Sequence, residues 1–322
     1  MWTRDKDGEH MEDRHTDQPG IGYSPEVRDA LAHGAPVVAL ESTIISHGLP
    51  RSINLDVARE LEAIVRDGGA CPATIAVLDG VVHVGLADHE LERVASGQGI
   101  RKLGARDLVL AMATGESGAT TVSAVCMVAA RAKIRVFVTG GLGGVHRGWQ
   151  ESLDESADLV MLSRTRLTVV AAGVKSILDV PATLQRLETL NVSVIGYRTG
   201  RFPGFYLADS GLPVEWSLDS VAQIAAVMRS QDALGAQGQA LLVANPVPVE
   251  RQLDPALHDQ VLREALSAAA DRQIGGQALT PFLLDFIARG TGGASVDANL
   301  AAVRGNAALG AAVAVAYAGD AA

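Results

Sequence analysis

The chain has 322 residues, with 27 Lys and Arg against 37 Asp and Glu for a net charge of −10, and is 48% hydrophobic but only 4% aromatic. That balance is too apolar for a disordered chain and too acidic for a protein that grips a phosphate polymer, which needs a basic face. No apolar run approaches about 18 residues, and the chain opens on mixed charge, so neither a membrane span nor a secretory signal is expected.

Residues 1–22 hold six acids, three bases and almost no apolar periodicity, and read as a disordered acidic extension. Residues 23–322 show no linker, composition break or repeat and read as a single domain. Strand and helix then alternate. Pro36–Leu40 is an apolar strand, and Leu55–Asp67 is a helix with a stripe of Val57, Ala58, Leu61, Ile64 and Val65. Ala73–Leu78 and Val81–Leu86 are strands joined by Asp79-Gly80, a strong two-residue hairpin signal. Helix Val122–Ala132 leads to strand Ile134–Thr139, and strand Leu167–Ala171 to helix Pro181–Asn191. Strand Val192–Tyr197, helix Asp219–Ser230 and strand Ala240–Ala244 precede three closing helices, Asp254–Arg272, Pro281–Arg289 and Val296–Tyr317. Fully apolar strands between helices predict a three-layer α/β/α fold around a large, mostly parallel sheet, made mixed by the hairpin. Cys71 and Cys126 lie in apolar segments and are expected to be reduced, buried and cytoplasmic.

Ligands in such sheets gather beyond the carboxyl ends of strands, and here those ends are polar or glycine-rich. Thr139-Gly-Gly-Leu-Gly-Gly-Val-His-Arg-Gly148 carries five glycines in ten residues. Two readings fit it: a loop whose amides meet an anion or sugar, with His146 and Arg147 as added donors, or a tight turn over a crowded sheet edge. It matches neither a dinucleotide fingerprint nor a Walker A loop. Asp154 and Asp158 are four apart, which on a helix puts both on one face. Two hard oxygen ligands beside Ser156 suit a hydrated Mg²⁺ or Mn²⁺, while dipole pairing at a helix start is the plainer reading.

Lys175 is the only charge across the twelve residues from Leu167 to Leu178. Desolvation favours the neutral amine, the form that attacks a carbonyl carbon; a lysine reaching out from an element end is the alternative. Glu41 ends the first strand, where apolar neighbours favour the protonated acid; an ion-pair or capping role competes. Lys102 is a phosphate candidate on spacing alone, or a solvated surface charge.

Taken together, Ala39-Leu-Glu-Ser-Thr-Ile-Ile-Ser-His-Gly-Leu-Pro50, Ser117-Gly-Ala-Thr-Thr-Val122, the glycine cluster, Ala172-Gly-Val-Lys-Ser-Ile-Leu-Asp179 and Val243-Ala-Asn-Pro-Val-Pro248 closely resemble the pseudouridine-5′-phosphate glycosidases, also called indigoidine synthase A-like proteins. Thr280-Pro-Phe-Leu-Leu and Thr291-Gly-Gly-Ala-Ser-Val-Asp-Ala-Asn299 extend the match to about residues 24–318.

The resemblance implies cleavage of the C–C glycosidic bond of pseudouridine 5′-phosphate by water to uracil and ribose 5-phosphate, reversibly. It implies Lys175 as the nucleophile at C1′ and Glu41 as the proton donor. Asp154 would ligate one divalent cation, Mn²⁺. Lys102, Val122, Ser156, Ala157, Asp158 and Asn299 would contact substrate, Asn299 at the uracil edge, and His146 joins them from the glycine cluster. A cytoplasmic homotrimer is implied, with a separate pseudouridine kinase as functional partner, since some relatives carry that kinase fused and this chain ends after its last helix. Gly305-Asn306 departs from the two consecutive asparagines common in the family, and the acidic extension has no counterpart. A carbon leaving group excludes the paired-carboxylate glycosidase scheme, which protonates a heteroatom. Another Schiff-base sugar-phosphate lyase or aldolase, a pigment-pathway enzyme and a non-catalytic binding protein are the competing readings.

Overall fold

The computed structural model describes residues 20–235 and 238–319. The chain begins with β1 (Ile21–Tyr23), α1 (Pro25–Ala32), β2 (Val37–Glu41), a π-helical turn at Ile44–Gly48, α2 (Asn54–Asp67), β3 (Cys71–Leu78) and β4 (Val81–Val84). Next come α3 (Asp88–Ser96), β5 (Ile100–Leu103), α4 (Ala105–Thr114), β6 (Ser117–Thr120), α5 (Val122–Arg131) and β7 (Val136–Val138). The middle of the chain holds α6 (Trp149–Ser152), α7 (Ala157–Leu162), β8 (Thr168–Ala171), α8 (Val180–Thr189), β9 (Ser193–Tyr197) and β10 (Trp216–Leu218). It closes with α9 (Val221–Ala233), β11 (Leu241–Ala244), α10 (Pro255–Asp271), α11 (Leu279–Gly290) and α12 (Ala294–Ala318).

Eleven strands make one sheet, with the path β1-β4-β3-β2-β7-β8-β11-β9-β10 and with β6 joining β3 to β5. Among the described strands, β3 alone has antiparallel neighbours, β4 and β6. The hairpin forms as the sequence predicts, because Asp79 and Gly80 both take positive φ, 49° and 79°, the backbone of a tight hairpin turn. Side chains of the central strands alternate between two cores. Ala39, Phe137, Val169 and Leu242 face the side covered by α1, α5, α7, α8, α10 and α11. Leu40, Val138, Val170 and Val243 face α2, α9 and α12. Both faces are dry, which is why these strands are apolar throughout.

Three differences from the sequence reading have physical causes. Ile21 and Gly22, assigned to the extension, pair with Val82 and His83 in β1; residues 1–19 lie outside the described residues. The stretch between β4 and α5 is given no element from the sequence; it folds as α3, β5, α4 and β6. Ser117-Gly-Ala-Thr120 is short and small, so its strand character comes from its partners β3 and β5 and not from propensity. Glu151–Asp158 is not one helix: Leu153, at φ 54°, separates α6 from α7. Asp154 and Asp158 therefore share no helical face, and the paired-ligand reading from their spacing fails.

α12 is long and apolar enough to cross a membrane, but it packs between α2 and α9 against the sheet. Its composition suits a helix buried on most sides. Cys126 is buried and Cys71 half-buried, both as free thiols.

Candidate active site

β2, β7, β8 and β11 are consecutive parallel neighbours, so their carboxyl ends deliver Glu41, Thr139, the Ala172–Lys175 loop and Asn245 to one place. β2 stops where β6 takes over the same edge of β3. Ser42 and Thr120 close that seam, both donating to the Ile75 carbonyl, at 2.6 and 2.5 Å. The Thr120 amide in turn donates to the Ser42 hydroxyl at 2.9 Å, which fixes Glu41 beside the start of α5, where Val122 is buried.

The Thr139 hydroxyl donates to Oε1 of Glu41. Burial pushes the Glu41 carboxyl up from its ordinary value; Lys175, the Thr139 hydroxyl and Lys102 pull it back, and Asp158 adds to the rise. Net elevation keeps a carboxylic acid protonated further into the neutral range, the state a proton donor needs. Lys175 donates from Nζ to the Gly141 carbonyl at 2.8 Å. Lys102, on β5, stays solvent-accessible, yet burial of its amine end and the charge of Lys175 push its ammonium down against Asp158 and Glu41. Glu41, Lys102, Asp158 and Lys175 thus form one electrostatic group.

Hydrogen bonds and close packing both shape the glycine cluster. The amides of Leu142, Val145 and His146 donate to Gly173 O, Thr183 Oγ1 and Asp154 O, and that of Gly143 to Asp158 Oδ2. Those donors are spent inside the fold. A Cβ on Gly143 would lie 2.3 Å from Ser156 Oγ and 2.7 Å from Asp158 Oδ2, so the residue is glycine because two side chains press against it. Crowding also accounts for Gly140, Gly141 and Gly144, where a Cβ would stand 2.9 Å from Asn299, 2.5 Å from Phe205 and 2.4 Å from Thr183. Arg147 likewise donates to the carbonyls of Ser176 and Ile177, both at 3.3 Å, and braces the loop behind Lys175.

Asp158 is buried, and its oxygens accept from the amides of Ser123 and Gly143, both at 2.9 Å. It locks the starts of α5 and α7 to the glycine loop. Ser156 caps α7, accepting from the Asp158 amide at 3.2 Å, and Ala157 is exposed at the first turn. His146 Nδ1 lies 4.0 Å from Asp154 Oδ2; burial pushes this imidazole down, Asp154 opposing and Lys102 adding. Asn299, in α12, is nearly buried, and its Oδ1 has no hydrogen-bond partner among the described residues. That oxygen lies 2.9 Å from where a Cβ on Gly140 would stand, so it faces the space above the glycine loop. A buried acceptor of this kind normally has a partner, and this one has none among the described residues.

The indigoidine synthase A-like family matches residues 26–316. The chain belongs to the indigoidine synthase A-like family. A pseudouridine-5′-phosphate glycosidase of Streptomyces griseus is 62% identical over 307 residues, covering 94% of this chain and 95% of that protein. One of Salinispora tropica is 56% identical, covering 92% of each. Among solved structures, the prealnumycin C-glycosynthase AlnA in complex with ribulose 5-phosphate superposes with TM-score 0.87 at 36% identity, covering 94% of this chain and 99% of that one. An indigoidine synthase A-like protein of Thermotoga maritima gives 0.84 at 35% identity, covering 95% and 98%.

Of the residues expected at the site, Glu41, Lys102, Asp158 and Lys175 lie within electrostatic reach of one another. Sequence reasoning misses Thr139 as a side chain, although its place at the end of an apolar strand is a usable signal. It leaves Asn306 without a role. Asn306 is fully buried, donating from Nδ2 to Thr139 O at 2.8 Å and accepting at Oδ1 from Asn245 Nδ2 at 2.9 Å.

Proposed function

We propose that this protein hydrolyses the C–C glycosidic bond of pseudouridine 5′-phosphate, reversibly, to uracil and ribose 5-phosphate. The observation that carries the chemistry is the meeting of Lys175 and a proton-retaining Glu41 at the ends of nearby strands. The substrate rests on the kinship with pseudouridine-5′-phosphate glycosidases up to 62% identical and on the ribulose 5-phosphate held by AlnA.

The Lys175 amine adds to C1′ as the C1′–O4′ bond breaks, and Glu41 gives its proton to O4′, opening the ribose ring. The new secondary ammonium returns a proton to the Glu41 carboxylate. The nitrogen lone pair then forms the C1′ iminium while the C1′–C5 bond breaks, and uracil leaves as a ring-stabilised carbanion that takes a proton at C5. Water hydrolyses the iminium, freeing ribose 5-phosphate and Lys175. Lys102 supplies positive charge for the phosphate, the start of α5 at Val122 and the Ser156–Asp158 turn line the sugar, and Asn299 Oδ1 accepts from the uracil edge.

Asp154 fits a divalent cation, Mn²⁺ in this reading. Its carboxylate is 38% exposed, and its one ionisable partner among the described residues is His146, 4.0 Å away. No cluster of three or more His, Cys, Asp or Glu side chains surrounds it among the described residues, so most of the shell would be water, as hard cations tolerate. When bound, such a cation supplies fixed charge that orients substrate oxygens through its waters. A cytoplasmic homotrimer fed by a separate kinase completes the reading, and light scattering on the purified chain tests the trimer. The deciding experiment is uracil release from pseudouridine 5′-phosphate with Mn²⁺ present. No release, with C–C bond formation on another aromatic acceptor instead, would favour an AlnA-like synthase.

A further inference from the structure

We propose that Asn306 is a positioning residue for the Glu41 carboxyl, acting through Thr139 from the middle of α12. The inference rests on the reading of Glu41 as proton donor. Asn306 reaches across the sheet. Its Nδ2 donates to the Thr139 carbonyl at the end of β7, and its Oδ1 accepts from Asn245 at the end of β11. β8, the strand that leads to Lys175, lies between those two. One buried amide therefore spans the strand ends on either side of the nucleophile loop.

Thr139 is held at both main-chain groups. Its amide donates to Val170 O at 3.1 Å, and its carbonyl accepts from Asn306 at 2.8 Å. With the backbone tied, the hydroxyl is its one remaining polar arm, and it donates to Glu41 Oε1. That bond reserves Oε1 as an acceptor and leaves Oε2 as the oxygen that carries the transferable proton. α12 comes close enough for this only because Gly310, one turn beyond Asn306, lacks a side chain. A Cβ there would stand 2.2 Å from Val138 Cγ2 on β7. An asparagine in an apolar helix is unfavourable unless both ends are satisfied, and here both are. The charged groups facing Glu41 are Lys175 from the loop after β8, Lys102 from β5 and Asp158 from α7. None of them touches Asn306 through a hydrogen bond, so a change at Asn306 reaches Glu41 by way of Thr139.

The experiment measures uracil release against pH for wild type, Glu41→Asp, Glu41→Gln, Asn306→Ala, Thr139→Val and Thr139→Ser. Glu41→Asp identifies the limb of the profile that belongs to Glu41. Asn306→Ala and Thr139→Val are each expected to lower kcat about tenfold with little change in KM, the pattern of a group acting in the transition state. Both move the Glu41 limb to higher pH, because the carboxylate loses a donor that favours its charged form. Thr139→Ser brings the limb back, and the Asn306→Ala/Thr139→Val double variant is no slower than the slower single one. A lower melting temperature for Asn306→Ala with the limb unmoved would reduce Asn306 to a strut and overturn the inference. Should Asn306→Ala fail to fold, Asn245→Ala, at a half-buried position, strips Asn306 of its donor; it must move the same limb, and an unmoved limb again overturns the inference. Wild-type kcat in Glu41→Gln would instead refute the proton-donor reading itself, and this inference with it.

Discussion

Lys175 and Gly141 are joined by a 2.8 Å hydrogen bond from the amine Nζ to the glycine carbonyl. Around it, the Leu142 amide donates to Gly173 O and the Lys175 amide to Leu142 O, both at 3.0 Å, so β7 and β8 stay paired beyond their formal ends. The nucleophile therefore stands on a rigid double loop and not on a free tip. A side chain held this way needs little reorganisation before it attacks.

Lys175→Ala is expected to lower uracil release by on the order of a thousandfold or more, with the melting temperature nearly unchanged. Borohydride added with ribose 5-phosphate traps a covalent adduct on the wild-type lysine, read by mass spectrometry of the Lys175 peptide. A wild-type adduct elsewhere in the chain, or an active Lys175→Ala, would remove the lysine from the mechanism.

Glu41 carries a stability signature with a definite sign. Its acid is raised above 4.5 in the folded chain, so folding favours the protonated form. Its contribution to stability is full below pH 4.5 and is lost as pH rises through the folded value. Glu41→Gln is expected to be more stable than wild type at neutral pH, by about 0.5–2 kcal/mol, while losing activity. Denaturation at pH 4 and pH 7 checks this: the gap must shrink at the lower pH.

Gly143→Ala places a methyl against Ser156 Oγ and Asp158 Oδ2, the two groups that start α7. Overpacking of this kind costs about 1–3 kcal/mol. The Gly143-to-Asp158 bond is broken with it, so a raised KM for the nucleotide accompanies the lower melting temperature. Wild-type kinetics in Gly143→Ala would show that the tight packing serves no substrate contact.

Asp154→Ala is expected to raise the Mn²⁺ concentration needed for half-maximal activity by about tenfold or more, on the scale seen when metal-site residues are changed. Chelation of wild type and readdition of Mn²⁺ is the matched control. Activity that ignores both chelator and substitution would place the cation elsewhere or nowhere.

Much of the fold is legible in the residues because periodicity is local. The stripe of Val57, Ala58, Leu61 and Val65 makes α2 readable, and Asp79-Gly80 makes the β3–β4 hairpin readable, each without reference to the rest of the chain. The site is legible where a charge stands alone: Lys175 amid apolar residues and Glu41 at a strand end. β6 is not legible, since Ser117-Gly-Ala-Thr120 becomes a strand only when β3 offers an open edge where β2 leaves it. Asp154 and Asp158 mislead because spacing implies a shared helix that Leu153 breaks. The glycine cluster is legible only in part, because only the folded loop shows that the amides of Leu142, Gly143, Val145 and His146 serve Gly173, Asp158, Thr183 and Asp154.

Composition, charge and alternation by themselves determine an acidic α/β protein with a parallel sheet and polar strand ends, because which residues avoid water is written along each segment. The partner of each polar group is a different matter. That Asp158 ties two helices to the glycine loop, that Asn306 bridges β7 and β11, and that Thr139 reaches Glu41 are decided only in the assembled tertiary structure. Hydrogen bonds between residues 98 and 167 positions apart leave no periodic trace in the chain, and a buried donor or acceptor finds its match only in the assembled core.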